Sequence, residues 1–381
     1  MYRIDDKART WTEIDLSALR YNHEYAKSIS GRKVICVLKA DAYGHGAVRC
    51  GKYLQDHCNA FMFAVAAISE AVELRENGIT IPIMVLGYTS PQYAEILSKL
   101  DIEQTLVDEK HANEMNSAAA KIGRTVKVHI ALDTGMSRIG LYAQRNHVEA
   151  TNAAERICGL SNLKVVGMFS HLAVADDLEQ NEFTLYQYRN FAIVYNGLAE
   201  RGIRIPNCHV SNSAAVLNCP FQFDSVRFGI SLYGMYPDSR PVSNGPLKPV
   251  MTLKSRVTQL RMLPPGATVS YGRTFTSRRD TRTAVICAGY ADGYSRRMSN
   301  HTYVTINGNR YPQIGRICMD VCMADVTDAD KNKEGVHVGD EVILIGNGGM
   351  SFEEASEIVG TINYELTCLV TSRAKRIYIN G

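Results

Sequence analysis

Short apolar segments alternate with amphipathic segments along the first part of the chain. The apolar segments predict strands covered on both faces, and they are VICVL at 34–38, FMFAVA at 61–66, IPIMVLG at 81–87, EQTLV at 103–107, VKVHIAL at 126–132, VVGMFSHL at 165–172, CHVSNS at 208–213 and SVRFGI at 225–230. The stretches at 69–78 and 111–123 have helical spacing and end in glycine. This alternation predicts an α/β fold, a (β/α)8 TIM barrel. A doubly wound sheet is the alternative, but no glycine-rich dinucleotide loop follows the first strand.

The pattern changes near residue 240. A crossing rich in proline, glycine and serine at 236–249 is followed by short alternating segments with turn signals at 252–263, 281–290, 303–313 and 341–348, and by one helical segment near 351–360. We therefore expect a barrel domain over 1–240 and a mostly β domain over 241–381. Residues 1–12 are expected to pack with the second domain.

Composition and charge exclude several classes of protein. The chain has 381 residues, 45% hydrophobic and 21% charged, and its net charge of +3 gives no reason to expect a nucleic-acid partner. No apolar stretch has membrane-spanning length, and the first ten residues are too polar for a signal peptide. The ten cysteines are scattered, and the pair Cys318 and Cys322 has no second pair, so we expect neither a disulfide framework nor a metal site. A cytoplasmic location follows, either as a free protein or as the cytoplasmic part of a membrane-anchored one.

Polar residues stand where the predicted strands end. They are Lys39, Arg138, His171, Asn212, Ser213 and Arg227. Each one alone has an ordinary structural explanation, such as a helix cap, a buried histidine or a buried ion pair. In a barrel, however, the carboxyl ends of all strands meet at one mouth, and together these residues predict an active site there.

The chemistry of this mouth suits pyridoxal 5'-phosphate. Ser213 and the backbone amides of Gly229 and Ile230 follow the last two strands, where barrels commonly bind phosphate. Lys39 follows the first strand, and its amine could form a Schiff base with an aldehyde. Arg227 could face the pyridine nitrogen. Because a guanidinium stays protonated, that nitrogen would not be protonated as well, and the cofactor would be a weaker electron sink.

Nine segments in order resemble those of the alanine racemases. They are VLKADAYGHG at 37–46, LDTGMSRIG at 132–140, MFSHLAVAD at 168–176, HVSNSAA at 209–215, VRFGISLYG at 226–234, VSYGRTF at 269–275, GYADGYSR at 289–296, GRICMD at 315–320 and TINYE at 361–365. The resemblance covers nearly the whole chain. It implies a fold-type III pyridoxal phosphate enzyme, with a barrel, a β domain and a head-to-tail homodimer whose active sites are shared.

The resemblance also implies roles for individual residues. Lys39 would be the Schiff-base lysine and the base on one face of the substrate α-carbon, and Tyr271 of a partner chain would be the base on the other face, as racemisation requires. Arg138 and His171 would lie near that tyrosine, where a positive neighbour lowers the pKa of a phenol. Arg227 would face the pyridine nitrogen, and the phosphate would be bound by Tyr43, Ser213, Gly229 and Ile230. Met319 and Asp320 of the partner chain would lie near the substrate carboxylate. Tyr290 would form the gate of the substrate corridor.

Two positions depart from the family pattern. Ala131 stands where the family usually has a lysine, often carbamylated, that holds the arginine of the GMxRIG motif; either an anion or other groups would hold Arg138 here. Ser372 stands where the family often has a tyrosine that walls the pocket. A smaller, polar residue would widen the pocket and could hydrogen-bond a substrate side chain.

These features leave several functions open. The leading hypothesis is an alanine racemase that supplies D-alanine for peptidoglycan. The first alternative is a serine or mixed serine/alanine racemase, similar to the racemase halves of membrane-anchored proteins linked to vancomycin resistance, because a methyl-sized pocket rejects an added hydroxyl only about a hundredfold. An amino-acid decarboxylase or a pyridoxal phosphate carrier is a more distant alternative, and the pairing of Lys39 with Tyr271 in a two-domain chain argues against both.

Overall fold

The computed structural model describes residues 5, 7, 9–237, 247–331 and 335–381. Its first elements are strand β1 (Trp11–Asp15) and helix α1 (Leu16–Ser30). The strands of the first domain then follow as β2 (Lys33–Val37), β3 (Met62–Val65), β4 (Ile83–Val85), β5 (Ile102–Leu106), β6 (Val126–Asp133), the short β7 (Leu141–Tyr142), β8 (Leu163–Phe169), β9 (Cys208–His209) and β10 (Ser225–Phe228).

Eight of these strands form the predicted barrel. They are parallel, in the order β10-β2-β3-β4-β5-β6-β8-β9, and β7 pairs beside β6. The two end strands approach each other, because the amide of Asp224 donates to the Cys208 oxygen and the amide of Arg227 to the Ser211 oxygen, both at 3.0 Å. The sheet is thus nearly closed, and the predicted fold class is confirmed.

Helices connect the barrel strands. They are α2 (Ala47–Cys58), α3 (Ile68–Glu76), α4 (Ala94–Lys99), α5 (Glu109–Lys121), α6 (His147–Cys158), α7 (Asn181–Glu200) and α8 (Ser213–Asn218). The two helices predicted near 69–78 and 111–123 are therefore present as α3 and α5. The strand predicted over 208–213 is shorter, because the Asn212 side chain accepts the amide of Ala215 at 3.0 Å and begins α8.

The second domain contains a mostly antiparallel sheet. Its strands from this domain are β11 (Met251–Leu263), β14 (Thr281–Ile286), β15 (Tyr303–Ile306), β16 (Asn309–Ile314), β17 (Cys322–Asp325), β18 (Glu341–Ile345) and β19 (Lys375–Ile379). Strands β12 (Thr268–Val269) and β13 (Phe275–Thr276) form a separate antiparallel pair, and the helices are α9 (Phe352–Val359) and α10 (Asn363–Cys368). Helix α9 begins with a reciprocal cap between Ser351 and Glu354, as the segment near 351–360 predicted.

The two ends of the chain meet in this second sheet. Strand β1 lies between β11, to which it is antiparallel, and β19, to which it is parallel. Residues 11–15 thus belong to the sheet of the second domain and lead directly into α1 of the barrel. The predicted domain boundary between residues 240 and 241 lies outside the described residues. No helix in the described ranges combines the length and the apolar character that crossing a membrane requires.

Candidate active site

A cavity of about 620 Å³ opens at the carboxyl ends of the barrel strands. Nine residues that the sequence predicted for the site line it: Lys39, Tyr43, Arg138, His171, Asn212, Ser213, Arg227, Gly229 and Ile230. Parallel strands bring these residues to one mouth although they are up to about two hundred positions apart in sequence. The other predicted residues lie elsewhere in this chain: Tyr271, Tyr290, Met319, Asp320 and Ser372.

Lys39 begins a left-handed turn, Lys39–Gly44, directly after β2. Ala40, Asp41, Ala42 and Tyr43 have φ angles of 53°, 52°, 54° and 53°. This conformation costs about 1–2 kcal/mol for each residue other than glycine. Such a turn persists only where its surroundings hold it firmly, and this is typical of functional sites.

Two sets of contacts hold the lysine turn. At its start, the Glu70 carboxylate accepts the amide of Ala40 at 2.6 Å and, with its other oxygen, the amides of Ala66 and Ala67 at 2.7 and 3.1 Å. At its end, Arg376 of β19 donates through Nε to the Gly44 oxygen at 3.0 Å. The barrel and the second domain therefore both fix the direction in which Lys39 leaves its strand.

The electrostatic surroundings of Lys39 favour its neutral amine. Burial lowers the pKa of Lys39, and the positive charge of Arg138 lowers it further, against a smaller opposing effect of Glu70. A neutral amine is the form that attacks an aldehyde or accepts a proton. Lys39 is thus suited to both roles.

Arg227 is buried on β10 and reaches the floor of the cavity. Its NH1 group donates to His209 Nδ1 at 2.6 Å and to the His209 oxygen at 2.8 Å. Its NH2 group donates to the oxygens of Ser170 and Val210 at 2.7 and 2.8 Å. The remaining donor, Nε–H, has no acceptor among the residues that the structure describes, and it is available to a ring nitrogen in the cavity.

His171 is neutral in this environment. Burial lowers the pKa of His171 well below its ordinary value, and the charges of Arg227, Arg138 and Lys39 act in the same direction. Its Nδ1 lies 3.4 Å from NH2 of Arg227. Because arginine can only donate, Nδ1 is the acceptor and Nε2 carries the proton.

A small polar cradle lies at the end of the cavity near β10. Ser213 Oγ accepts the amide of Gly229 at 2.9 Å, so its own hydrogen remains available as a donor. A Cβ atom at Gly229 would lie only 2.7 Å from the Tyr43 hydroxyl. The absence of a side chain at Gly229 thus leaves room for a group that the hydroxyls of Tyr43 and Ser213 can contact, and a phosphate fits these donors.

Tyr271, Tyr290, Met319 and Asp320 lie together on the second domain. They belong to three loops, 269–273, 289–293 and 316–320, which we call the tyrosine platform. The platform presents apolar groups to solvent in the single chain, since Tyr271 is 66% exposed, Met319 51% and Tyr290 40%. This exposure is unusual for large apolar side chains that lie so close together.

Hydrogen bonds connect the loops of the tyrosine platform. The hydroxyl of Ser270, the neighbour of Tyr271, donates to the Arg316 oxygen at 2.6 Å. The amide of Tyr290 donates to the Cys318 oxygen at 3.1 Å, and the next amide donates to the Met319 oxygen at 3.1 Å. The four predicted residues therefore lie on loops that are hydrogen-bonded to one another.

Asp292 anchors the tyrosine platform from below. It is fully buried, receives two hydrogen bonds from Arg9 at 2.8 and 3.2 Å, and lies 3.3 Å from Nε of Arg373. Arg373 also donates to the Asp320 carboxylate at 2.8 Å. The platform is thus tied both to the segment before β1 and to the loop before β19.

Tyr364 was missed by the sequence analysis, and Ser372 takes a different place from the one expected. Tyr364, on α10, lines the barrel cavity, and its ring centroid lies 6.1 Å from that of Tyr43. Its segment, TINYE, was among the nine that carry the resemblance, but its distance in sequence from the barrel gave no reason to place it there. Ser372 borders a separate depression behind the lysine turn, with Asp41 and Arg49.

Comparisons with known proteins agree with this arrangement. Residues 14–237 match the family described as alanine racemase, N-terminal domain, and residues 250–378 match alanine racemase, C-terminal domain. The alanine racemase of Clostridium novyi is 44% identical over 377 residues, covering 97% of this chain and 95% of the relative. Alanine racemase 1 of Clostridium acetobutylicum is 43% identical with the same coverage.

Solved structures give the same result. An alanine racemase from Clostridium difficile in complex with cycloserine superposes with a TM-score of 0.88 at 36% identity, covering 99% of this chain and 96% of that one. The alanine racemase from Bacillus anthracis with bound L-Ala-P has a TM-score of 0.87 at 32% identity, covering 100% and 97%. Both domains and their order are those of one enzyme family. This chain belongs to the alanine racemase family, and it is an isomerase.

Proposed function

We propose that this protein is a pyridoxal phosphate-dependent racemase that interconverts L- and D-alanine. The observation that carries the proposal is the cavity at the barrel mouth, where Lys39, Arg227 and the hydroxyls of Tyr43 and Ser213 converge. Relatives named alanine racemase cover 97% of the chain, which supports alanine as the substrate. The product would be D-alanine for peptidoglycan.

The residues of the cavity fit the proposed cofactor. The hydroxyls of Tyr43 and Ser213 and the amide of Ile230 would hold its phosphate. Nε–H of Arg227 would face its ring nitrogen, and Lys39 would bond to its aldehyde carbon. When bound, the cofactor supplies an electron-withdrawing ring that makes the α-proton of an attached amino acid acidic.

Two bases on opposite faces of the α-carbon would carry the proton. Lys39 Nζ takes or returns the proton on one face, and its lowered pKa keeps the amine available as a base. Tyr271 Oη takes or returns the proton on the other face. Racemisation requires that one group removes the proton and the other delivers one from the opposite side.

The second base would come from a second copy of the chain. Tyr271 does not line the barrel cavity of its own chain, and it stands exposed on the tyrosine platform. A homodimer that places the platform of one copy over the barrel mouth of the other would cover these apolar groups and complete both sites. Met319 and Asp320 would then lie near the substrate carboxylate, and Tyr290 would line the access route.

Arg138 and His171 would act on the substrate and on Tyr271 from the barrel side. Arg138 provides a positive charge at the mouth, which attracts the substrate carboxylate and favours the phenolate form of a tyrosine brought close to it. His171 is neutral, with its proton on Nε2, and can donate one hydrogen bond into the cavity. The serine alternative rested on Ser372, which does not line this cavity, and we do not propose it.

The test is racemisation of L-alanine by the purified protein with pyridoxal phosphate, with L-serine measured in parallel. We expect alanine to be clearly preferred. Tyr271→Phe removes one of the two bases and should lower kcat by about 10²–10⁴-fold, while the cofactor remains bound. The proposal would be contradicted if the wild-type protein did not bind pyridoxal phosphate, or if Tyr271→Phe kept full activity.

A further inference from the structure

A chain of four buried polar side chains crosses the inside of the barrel below the cavity. It begins at Glu103 on β5, whose Oε2 lies 2.7 Å from Nε2 of His129 on β6. His129 Nδ1 lies 3.3 Å from Nε2 of His209 on β9, and His209 Nδ1 lies 2.6 Å from NH1 of Arg227 on β10. None of the four residues is more than 6% exposed.

The direction of every hydrogen bond in this chain is fixed by Arg227. A guanidinium has only donors, so Nδ1 of His209 must accept and Nε2 of His209 must carry the proton. That proton is donated to Nδ1 of His129, so the proton of His129 is on Nε2 and is donated to Glu103. All donors therefore point from the arginine to the carboxylate.

Gly167 makes the contact between the two histidines possible. Strand β8 lies between β6 and β9, and Gly167 is paired with His129. A Cβ atom at Gly167 would lie 2.1 Å from Nδ1 of His129 and 2.9 Å from the Asn207 oxygen. Only a residue without a side chain leaves the space in which the two imidazoles meet.

The chain of hydrogen bonds also links Arg227 to a counter-charge. The direct acceptors of the Arg227 guanidinium are carbonyl oxygens and imidazole nitrogens, all of them neutral. A buried cation without a counter-charge is strongly disfavoured. Glu103 carries the negative charge at the other end of these four side chains. Arg75 is also a cation near Glu103, but Arg75 directs its own hydrogen bonds at backbone oxygens.

We propose that Glu103, His129 and His209 are positioning residues that hold Arg227 in place and supply its counter-charge, and that they thereby set the electron demand of the cofactor ring. The proposal rests on the proposed function, because it assigns Arg227 to the ring nitrogen. Without Glu103 the guanidinium would share its proton more readily with that nitrogen, and the ring would become a stronger electron sink.

The first test is 15N NMR of the purified full-length chain labelled in histidine, with His129→Asn and His209→Asn used to assign the signals. We expect both histidines to be neutral, with Nε2 protonated and Nδ1 unprotonated. A proton on Nδ1 of either residue would reverse or break the chain and overturn the proposal. This measurement does not depend on racemase activity.

The second test is Glu103→Gln in the protein loaded with pyridoxal phosphate labelled at its ring nitrogen. Glutamine keeps an acceptor for His129 but removes the charge. We expect the 15N resonance of the ring nitrogen to move toward the protonated form. We expect kcat for alanine to fall by about tenfold, because a stronger electron sink holds the deprotonated substrate longer before the second base returns a proton, with KM nearly unchanged because Arg227 contacts the cofactor. The matched control is Glu109→Gln, which removes a carboxylate that pairs with Arg156 at the surface.

The outcomes separate this inference from the proposed function. If the wild-type protein binds the cofactor and racemises alanine but Glu103→Gln has the same ring-nitrogen resonance and kcat as Glu109→Gln, the inference is wrong and the function stands. If the wild-type protein does not bind the cofactor, the proposed function fails, and with it the role assigned to Glu103.

Discussion

At the scale of single residues, the cavity is a place where positive charges lie close together. Lys39, Arg138 and Arg227 all line it, so their positive charges repel one another. Burial and the charge of Arg138 both lower the pKa of Lys39, in that order. Lys39 is therefore less basic than a lysine exposed to solvent. This suits a residue that must act as a nucleophile and as a base near neutral pH.

This arrangement predicts how Lys39 responds to a change at Arg138. Replacing Arg138 by glutamine removes a neighbouring cation, so the pKa of Lys39 should rise and its neutral fraction at a given pH should fall. The pH profile for the reaction of the cofactor-free protein with pyridoxal phosphate should then move to higher pH. Arg145→Gln, at an exposed position of the same segment, should leave the profile unchanged. Coincident profiles for Arg138→Gln and the wild type would contradict the prediction.

At the scale of elements, the sequence predicted the strands far better than it predicted the lysine turn. Apolar runs such as 34–38 became strands because their pattern is local and both faces of a barrel strand are covered. The left-handed turn after β2 has no local signal, because alanine, aspartate and tyrosine disfavour that conformation. Contacts with residues distant in sequence impose it, among them Glu70 and Arg376. The place of Tyr364 in the cavity was hidden for the same reason.

Glu70 offers a direct test of how the turn is held. Its two oxygens accept three backbone amides, one of them next to Lys39. Glutamine has the same shape, but its amino group must face at least one of those amides. Glu70→Gln should therefore lower the free energy of unfolding by about 1–3 kcal/mol and lower kcat, because Lys39 is no longer held in one direction.

The measurements are urea unfolding and the rate of alanine racemisation. Glu76→Gln, at an exposed position on the same helix, removes the same charge without touching the turn and serves as the control. Equal unfolding free energies and rates for the two variants would show that Glu70 does not hold the turn.

The tyrosine platform provides a second test at the element scale. Asp292 is buried between Arg9 and Arg373, and Asp292→Asn removes the carboxylate that both cations contact, while Arg373 keeps its pair with Asp320. Breaking a fully buried ion pair costs about 3–5 kcal/mol. Because both arginines are partly exposed, we expect a smaller fall in the free energy of unfolding, about 2–3 kcal/mol. Asp101→Asn breaks an exposed pair with Lys127 and should cost about 1 kcal/mol or less. A similar loss in both variants, measured by urea unfolding, would argue against the anchoring role.

At the scale of the whole molecule, the predicted site residues fall into two groups that a single chain does not bring together. The barrel cavity holds Lys39 and the proposed cofactor contacts, whereas Tyr271 stands on the platform of the other domain. The sequence could assign these residues to one reaction only through the family resemblance, because neither spacing nor periodicity relates residue 39 to residue 271. The physical link that we propose is a second copy of the chain.

Mixed dimers test this link directly. Lys39→Ala and Tyr271→Phe should each be nearly inactive alone, since each homodimer lacks one base in both sites. A mixed dimer contains one chain of each kind. If each site takes Lys39 from one chain and Tyr271 from the other, both substitutions fall in one site and the second site is intact. About half of the wild-type activity should then return. Chains carrying different affinity tags allow the mixed dimer to be purified, and each homodimer taken through the same exchange is the control. If the mixed dimer stays as inactive as the homodimers, Tyr271 serves its own chain or has no part in the reaction, and the shared site is wrong.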